Sequence, residues 1–536
     1  MAVSSRTEAV RSEKLSFGTK AAYAIGDLGN SVGPGTVVPF WYLYFLTDVA
    51  KLNPALAGLS LLIGKVWDAI NDPLVGILSD RTRTRWGRRR PYLLFGAVPY
   101  GVTFALLWIV PPIQDQVILC LYFAFMYMLF DTAFTLVGCP YEALTPELTL
   151  DHDERTSLIT YRMAVSIGSG LLAAFLFGQV IFPMFPQADP RAFLLVGVVC
   201  GAAFIPPILV TFLGTRERPE FQVVQAPNPI EALRYVIRNR AWRYTLSMSL
   251  LSWMPVDIAS AVFPYFLIYW IGMTEGDAMI VLATILLSAM LFLPLLVWLS
   301  SRMEKKYAFI IATASWVVVQ LSVLLIPRGA QTLAYVVAFA AGLGVSSAHV
   351  LPSAMNPDVL EVDELMSGRR QEGIYAGFNV FIRKLSTGLV LSIIGPVLAW
   401  SGYVEGAAQQ TTSALWAIRL LIAALPAVLL ISSIIVAWFY PLTRARHAEI
   451  QAELARRRVP EQRSRGAEEQ GSKGDSPSHL CTSAPLHIQE VTSQRDLRAF
   501  VKFPWQVYKG DPNWVPPLIS ERLDYLNPKK NPFYQQ

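Results

Sequence analysis

Three ionisable residues interrupt an apolar stretch of the chain, "GKVWDAINDPLVG" at residues 64–76. Lys65, Asp68 and Asp72 are spaced i, i+3 and i+7, which places their side chains on one face of a helix. An ionisable side chain near the centre of a membrane span costs about 2.5–3.5 kcal/mol on insertion scales. Three of them facing lipid would cost on the order of 8–10 kcal/mol, so this face must point into the protein.

Two interpretations of this charged face remain open. In the first, Lys65 and Asp68 form an internal ion pair that only joins two helices. In the second, the carboxylates of Asp68 and Asp72 bind a cation or a proton in a water-accessible cavity. Lys65 lies about 18 Å into the span at 1.5 Å per residue, close to the midplane where transporter sites concentrate. Pro73 also leaves the carbonyl of Ala69 without its helical partner, so we predict an oxygen-lined site for Na⁺ or H⁺.

The composition of the whole chain is typical of a polytopic membrane protein. Of its 536 residues, 53% are hydrophobic and 16% are charged, against about 25% charged residues in a soluble domain. Twelve apolar segments are each long enough to cross a hydrocarbon core of roughly 30 Å. The predicted spans are 20–47, 54–79, 91–111, 116–144, 156–182, 191–213, 242–271, 277–300, 307–326, 332–356, 373–400 and 411–440.

The predicted fold is an all-α membrane protein with twelve transmembrane helices in two six-helix bundles. The bundles comprise residues 1–213 and 242–440, and a polar loop at 214–241 joins them. A basic loop follows the second span of each bundle, which indicates an internal repeat. Residues 441–484 are predicted to form a charged, disordered tail, and 485–536 a fragment of a soluble domain.

Lys and Arg are concentrated in the loops after even-numbered spans, above all in "SDRTRTRWGRRRP" at 79–91. By the positive-inside rule these loops and both termini are expected to be cytoplasmic. No removable signal peptide is visible at the N-terminus, so the first span is expected to direct insertion. We therefore expect a multi-pass membrane protein.

Several classes of function are disfavoured by what the sequence lacks. Its four cysteines have no paired spacing that predicts a disulfide framework or a zinc site. No nucleophile–base constellation, phosphate loop or metal-ligand cluster stands out, and a net charge of +6 is too diffuse to indicate a nucleic-acid partner. We expect no enzyme activity and no cofactor, and an ion gradient as the energy source.

Other ionisable residues lie within further predicted spans. Lys384 is singled out because an ammonium at such depth needs a carboxylate partner, and Asp68 and Asp72 are available. For the others a structural role stays an alternative to a functional one. They are Asp27 in span one, Asp131 and Glu142 in span four, Arg162 in span five, Asp257 in span seven, His349 in span ten and Arg383 in span eleven.

Longer motifs extend over much of the chain. The stretch "KVWDAINDPLVGILSDRTRTRWGRRRPYLL" at 65–94 is supported by "YFLTDV" at 44–49, by "PYEALTPELTLDHDERTSL" at 140–158 and, more loosely, by "AMNPDVLEVDE" at 354–364. Over residues 14–445 the chain resembles the glycoside–pentoside–hexuronide:cation symporter family of the major facilitator superfamily, the family of the melibiose permease. The resemblance implies two bundles around a central cavity that opens alternately to either side.

The resemblance implies roles for Lys65, Asp68, Asp72, Arg162 and Lys384, and the residues themselves suggest roles for the others. Cation binding is expected at Asp68 and Asp72, a candidate Na⁺ site, and also at Asp27. Substrate binding is expected to involve Lys65, Trp67, Glu142, Arg162 and Lys384. Asp80, Arg81, Arg88 and Arg89 are expected to gate the cytoplasmic side through ion pairs between the bundles.

The chain departs from the melibiose-type sugar site at two positions of span four. Gly138 and Glu142 stand where those carriers have an aspartate and a tryptophan, so a hydroxyl acceptor and a stacking surface are missing. The first-helix carboxylate of those carriers aligns near Ser31, whereas Asp27 lies one turn earlier. The residues expected to bind the cation therefore match the family better than those expected to bind a sugar.

The expected function is cation-coupled symport, with Na⁺ or H⁺, of a small polar solute such as a sugar, glycoside or uronate. A cation-coupled lysophospholipid transporter is one alternative, and a membrane sensor or scaffold that does not transport is another. The partners expected are the solute, the coupling cation and the lipid bilayer, for a protein that functions as a monomer. Residues 491–518 are similar to the beginning of GNAT acetyltransferase-like proteins, but no acetyl-CoA-binding segment follows.

Overall fold

The computed structural model describes residues 14–149, 152–217, 236–367, 372–442, 446–447, 449–451, 453–454 and 500–502. Residues 1–460 form one compact unit, and 461–536 form a second, of which only 500–502 are described. The predicted soluble fragment with its GNAT-like stretch therefore lies almost wholly outside the described residues. Most of the predicted tail and of the loop between the bundles also lies outside them.

Helices form nearly all of the described chain, and no β-strand occurs in the ranges given above. Span one consists of the helices Phe17–Ile25, Asp27–Val32 and Val38–Tyr44, with π-helical turns at Gly33–Val37 and Phe45–Val49. The following spans begin with the helices Pro54–Arg81, Arg90–Leu106, Gln116–Leu148, His152–Leu176, Pro190–Gly214, Arg240–Tyr265, Glu275–Arg302, Lys305–Ser322, Gln331–Ser367 and Glu372–Trp400, and span twelve comprises Thr412–Arg419, Leu420–Ala424 and Leu425–Trp438. This confirms the predicted all-α fold class.

The helices begin and end close to the predicted spans, except that spans four and ten continue to Leu148 and Ser367. Hydropathy marks where the apolar part ends, whereas backbone hydrogen bonding continues into the polar part of the helix. Among the described residues, nine helices are long and apolar enough to cross a membrane. Spans one to three are not among the nine: span one is broken into short pieces, span two carries the charged face, and span three has 17 residues.

Packing groups the spans into two halves. In the first half, span three lies against spans four and six, span two against four, and span one against five and six. In the second half, span seven lies against ten and twelve, span eight against ten, and span nine against ten and twelve. The halves meet where span two packs on eleven, span one on seven and span five on eight.

Small residues let spans two and eleven approach closely. A Cβ atom on Gly395 would lie 2.1 Å from the carbonyl oxygen of Pro54, and one on Gly388 would lie 2.9 Å from the Cβ of Lys65. Because these two glycines of span eleven are seven residues apart, they lie on one face of the helix. That face brings Lys384, one turn before Gly388, next to the charged face of span two.

Candidate cation and substrate site

The Lys384 ammonium of span eleven lies between the two carboxylates of span two. Its Nζ donates to Asp68 Oδ1 and, at 2.5 Å, to Asp72 Oδ2. Lys65 Nζ donates to the second oxygen of Asp68 at 3.0 Å, and Asp68 is only 2% exposed. The structure thus brings together Lys65, Asp68, Asp72 and Lys384, with an ammonium in the place where a small cation would bind both carboxylates.

Span four supplies the remaining groups around this cluster. Thr135 Oγ1 donates to Asp72 Oδ1 at 3.1 Å, and the Lys65 Nζ lies 5.6 Å from the centre of the Tyr127 ring. Asp131 is buried, and its Oδ2 atom has no hydrogen-bond partner among the described residues. Two ammonium groups, of Lys65 and Lys384, therefore stand beside three carboxyl groups in this cluster.

No group of three or more His, Cys, Asp or Glu side chains in the described part of the chain has the arrangement of a metal site. The predicted Na⁺ ligands Asp68 and Asp72 share one ammonium instead. A cation that bound these two carboxylates would have to displace the Lys384 ammonium, because both are attracted by the same negative charge.

Asp27, Glu142 and Arg162 form a separate cluster. Arg162 Nε donates to Asp27 Oδ1 at 2.9 Å, and its Nη2 donates to Glu142 Oε1 at 3.2 Å. Ser31 Oγ donates to the other Asp27 oxygen at 3.0 Å. The structure joins Asp27 to span five rather than to the carboxylates of span two, so its predicted part in cation binding stays a prediction.

The predicted gating residues lie at the end of the molecule that carries the loop 82–89, which we call the basic end. Arg88 Nη2 and Arg89 Nε both donate to Glu147 Oε1 of span four at 2.6 Å. Asp80 Oδ1 accepts a hydrogen bond from Arg89 Nη2 at 2.9 Å, and Arg81 is exposed. These contacts lie within the first half, so ion pairs between the halves stay a prediction for another conformation.

A central cavity of about 900 Å³ lies between the two halves. Its first-half wall includes Lys65, Asp68 and Asp131, and Glu142 lies at its rim with a side chain that is 64% exposed. Trp67, a predicted substrate residue, is not part of this wall: its Nε1 donates to Thr132 Oγ1 at 2.8 Å, between spans two and four. Much of the remaining wall is apolar, with Val38, Phe40, Phe130, Phe134, Leu246, Leu250, Val256, Phe263, Leu282, Ile285 and Leu286 among its residues.

The end away from the basic loop, which we call the opposite end, is closed by hydrogen bonds between the halves. Asp48 of span one is 1% exposed and accepts hydrogen bonds from the hydroxyls of Tyr269 and Tyr403 in the second half, the latter at 2.7 and 2.8 Å. Tyr403 lies in the loop after span eleven, where burial and the nearby Asp48 carboxylate raise its pKa well above its ordinary value. Its hydroxyl therefore stays protonated and donates.

A second carboxylate makes the reverse connection at the opposite end. Glu275 of span eight is buried, and its Oε1 accepts hydrogen bonds from the Tyr44 hydroxyl at 3.2 Å and from the Ala188 backbone N–H at 2.9 Å. Each half thus contributes one buried carboxylate that accepts hydrogen bonds from donors in the other half. With the opposite end closed and Glu142 exposed at the rim, the cavity faces the basic end.

We expect Tyr403→Phe to weaken the closure, because it leaves the buried Asp48 carboxylate with fewer donors, a loss of about 1–3 kcal/mol. The population open at the basic end should fall. A thiol introduced by Asn356→Cys, on the exposed cavity wall, should then react with a maleimide more slowly in a background without the native cysteines, since the equilibrium constant between the two open states changes at least about fivefold. Tyr307→Phe, a change at the exposed basic end, is the control; equal rates in both variants would contradict the prediction.

A further ionic pair lies in the second-half wall, and this pairing does not follow from the sequence alone. Arg383 Nη1 and Nη2 donate to the two oxygens of Asp257 at 2.5 and 2.9 Å. The Arg383 guanidinium carbon lies 4.6 Å from the centre of the Trp253 ring. The i, i+4 spacing of Trp253 and Asp257 on span seven could have indicated a shared face, but not that span eleven supplies its partner.

Two bundles of spans around a charged central cavity define a membrane transporter with the major facilitator fold. The chain belongs to the family described as MFS/sugar transport protein, which matches residues 22–444. The D-xylose–proton symporter has a similar structure, with a TM-score of 0.55 and 15% identity over 79% of this chain and 96% of that one. At this identity the likeness concerns the fold alone.

Relatives by sequence are named as symporters. "Uncharacterized symporter sll1374" of Synechocystis is 31% identical, over 84% of this chain and 99% of the relative. "Sodium-dependent lysophosphatidylcholine symporter 1-A" of Danio rerio is 28% identical, over 81% and 88%. "Inner membrane symporter YicJ" of Escherichia coli is 28% identical, over 83% and 96%. The family and these relatives support coupled symport and place the chain in a membrane.

Proposed function

We propose that the protein is a symporter in which Na⁺ or H⁺ bound at Asp68 and Asp72 drives uptake of an organic solute by alternating access. One observation carries this proposal. The ammonium of Lys384, in the second half, is held by both carboxylates of span two, in the first half. The proposed cation site therefore lies in the contact that must change when the halves move.

The electrostatics of the cluster supply a coupling mechanism. A buried carboxylate pair without a counter-charge is strongly disfavoured, and in this conformation Lys384 supplies that charge. When a coupling cation neutralises Asp68 and Asp72, the ammonium is released and the ionic link between spans two and eleven is lost. The halves then close over the solute and open on the other side.

The solute that we favour is small and polar, such as a sugar, a glycoside or a uronate. The description of the matching family and the polar side chains of the wall support it, because amide and hydroxyl groups bond to the hydroxyls of a sugar. Gln320, Asn356, Asn379 and Thr387 are among these polar residues. We further propose a bacterial inner-membrane protein that works as a monomer with both termini in the cytoplasm.

A lysophospholipid is the second candidate, and the apolar part of the cavity wall favours it. At about 900 Å³ the cavity lies near the upper end of the roughly 300–1,000 Å³ of small-molecule sites. Aromatic and aliphatic side chains from spans one, four, seven and eight line it together, which suits an acyl chain. The zebrafish relative is named for such a lipid.

Thermal unfolding of the full chain in detergent tests both solutes, because a bound ligand stabilises the folded state by mass action. Sugars, uronates and lysophosphatidylcholine are compared in Na⁺ and in choline buffers, each at two pH values. We expect one class to raise Tm by a few degrees, and more so with the coupling ion. Stabilisation by lysophosphatidylcholine alone selects the second candidate, and stabilisation that is equal in all four buffers contradicts coupling.

A further inference from the structure

We propose that Arg383 of span eleven binds the oxyanion group, a carboxylate or a phosphate, of the transported solute. This inference rests on the proposed function and adds the charge of the cargo to it. Arg383 lines the second-half wall of the cavity, whose first-half wall includes Asp68 and Asp131. Cation and solute would thus bind within one cavity.

The hydrogen bonds of Arg383, a residue of the cavity wall, leave one edge of its guanidinium without an acceptor among the described residues. Nη1 donates to Asp257 and to Thr387 Oγ1, and Nη2 donates to the other oxygen of Asp257. An arginine carries five N–H donors in a planar fork, and these bonds use three. Nε–H and the second Nη2–H have no acceptor among the described residues, and they are the adjacent pair that binds an oxyanion in a bidentate manner.

The surroundings of Arg383 hold this edge in place. Asp257 accepts hydrogen bonds from Nη1 and Nη2 at the end of the guanidinium. The centre of the Trp253 ring lies 4.6 Å from the guanidinium carbon. Thr387 Oγ1 donates to Asp257 at 3.0 Å and so fixes the carboxylate in turn. The Arg383 side chain is still 25% exposed. A fixed but accessible fork loses little conformational freedom when it binds a ligand.

Lys384, the next residue, connects this fork to the coupling ion. While its ammonium is held by Asp68 and Asp72, that charge is neutralised there. When a cation takes those carboxylates, the released ammonium adds a positive charge to a cavity wall that already contains Arg383. Oxyanion affinity should therefore rise with the coupling ion and, by linkage, ion affinity with the oxyanion.

The test compares pairs of ligands that differ in the oxyanion, on the full chain in detergent. Glucuronate is paired with glucose, and lysophosphatidylcholine with monoacylglycerol, so the carboxylate of a sugar acid is distinguished from the phosphate of a lipid. We expect the wild type to prefer the anionic member of one pair, more strongly with the coupling ion. Arg383→Gln should lower the affinity for that anionic ligand at least about tenfold, because a charge-assisted bidentate contact is lost. Absence of any such preference in the wild type overturns the proposal.

Two further variants keep this test independent of folding. Arg383→Gln leaves the Asp257 carboxylate without its partner, whereas the double variant Arg383→Gln with Asp257→Asn removes both charges and should unfold near the wild-type temperature. It should lose the anion preference as well. Arg191→Gln, at an exposed arginine at the start of span six that pairs with Asp189, is the matched control and should keep this preference.

The outcome also separates this inference from the proposed function. Arg383→Gln should retain the stabilisation that Na⁺ or a change of pH gives through Asp68 and Asp72. If Arg383→Gln keeps the anion preference while ion-dependent stabilisation persists, the inference is wrong and the symporter proposal stands. If neither Na⁺ nor a change of pH stabilises the wild type or Arg383→Gln, the symporter proposal is wrong, and the inference that rests on it is wrong with it.

Discussion

Asp68→Asn and Asp72→Asn are each expected to abolish ion-driven accumulation of solute in proteoliposomes. Either change removes one of the two negative charges that hold Lys384 and that would hold the coupling ion. Na⁺ loses a charged oxygen ligand, and H⁺ loses a group to titrate. Uptake should then stop where inside and outside concentrations are equal, because downhill movement needs no coupling.

The measurement is uptake of the labelled solute against time, with and without an imposed Na⁺ or pH gradient. Glu449→Gln, a change at an exposed residue after the last span, is the control and should accumulate like the wild type. Full uphill transport by both aspartate variants would contradict the assignment of the cation site to Asp68 and Asp72.

The two variants should differ in stability although both lose coupling. Asp68 accepts hydrogen bonds from Lys65 and Lys384 and is almost completely buried, whereas Asp72 is partly exposed and accepts from Lys384 and Thr135. Asp68→Asn therefore leaves more buried positive charge uncompensated. We expect it to lower Tm more than Asp72→Asn, which makes Asp72→Asn the cleaner probe of coupling.

Much of this site could be predicted from the sequence because its residues follow from local spacing and from the cost of burying charge. The i, i+3, i+7 pattern of Lys65, Asp68 and Asp72 needs only a helix, and the helix Pro54–Arg81 runs through it. The partner for Lys384 follows because an ammonium in a span requires a carboxylate. Neither argument needs the arrangement of the twelve spans.

Other contacts could not be predicted because they depend on how the halves are placed. Asp48 lies in a motif at the end of span one, but its donors Tyr269 and Tyr403 come from the second half, more than 200 residues away. Asp27 is the converse case: the sequence predicts a part in cation binding, yet an arginine of span five contacts it. Charge alone shows that a partner is needed, and only the packing shows which residue it is.

Lys384→Gln is expected to separate ion binding from net transport. In the mechanism that we propose, the ammonium and the coupling ion compete for Asp68 and Asp72, so removing the ammonium should raise ion affinity, by about tenfold or more for a neighbouring charge. The same change leaves the empty carrier with uncompensated buried carboxylates. Its return without an ion should therefore be slow, because closing the cavity over them is costly.

This gives the variant a distinctive kinetic pattern. Ion-dependent thermal stabilisation should persist at lower ion concentrations, and exchange of solute across the membrane should continue, because the loaded carrier still moves. Net uphill uptake, which needs the empty carrier to return, should be lost. Lys306→Gln, outside the cluster at the start of span nine, is the matched control and should keep both activities. Net accumulation by Lys384→Gln at the wild-type rate would show that another group balances the carboxylates on the return step, and Lys65, already bonded to Asp68, would be the residue to change next.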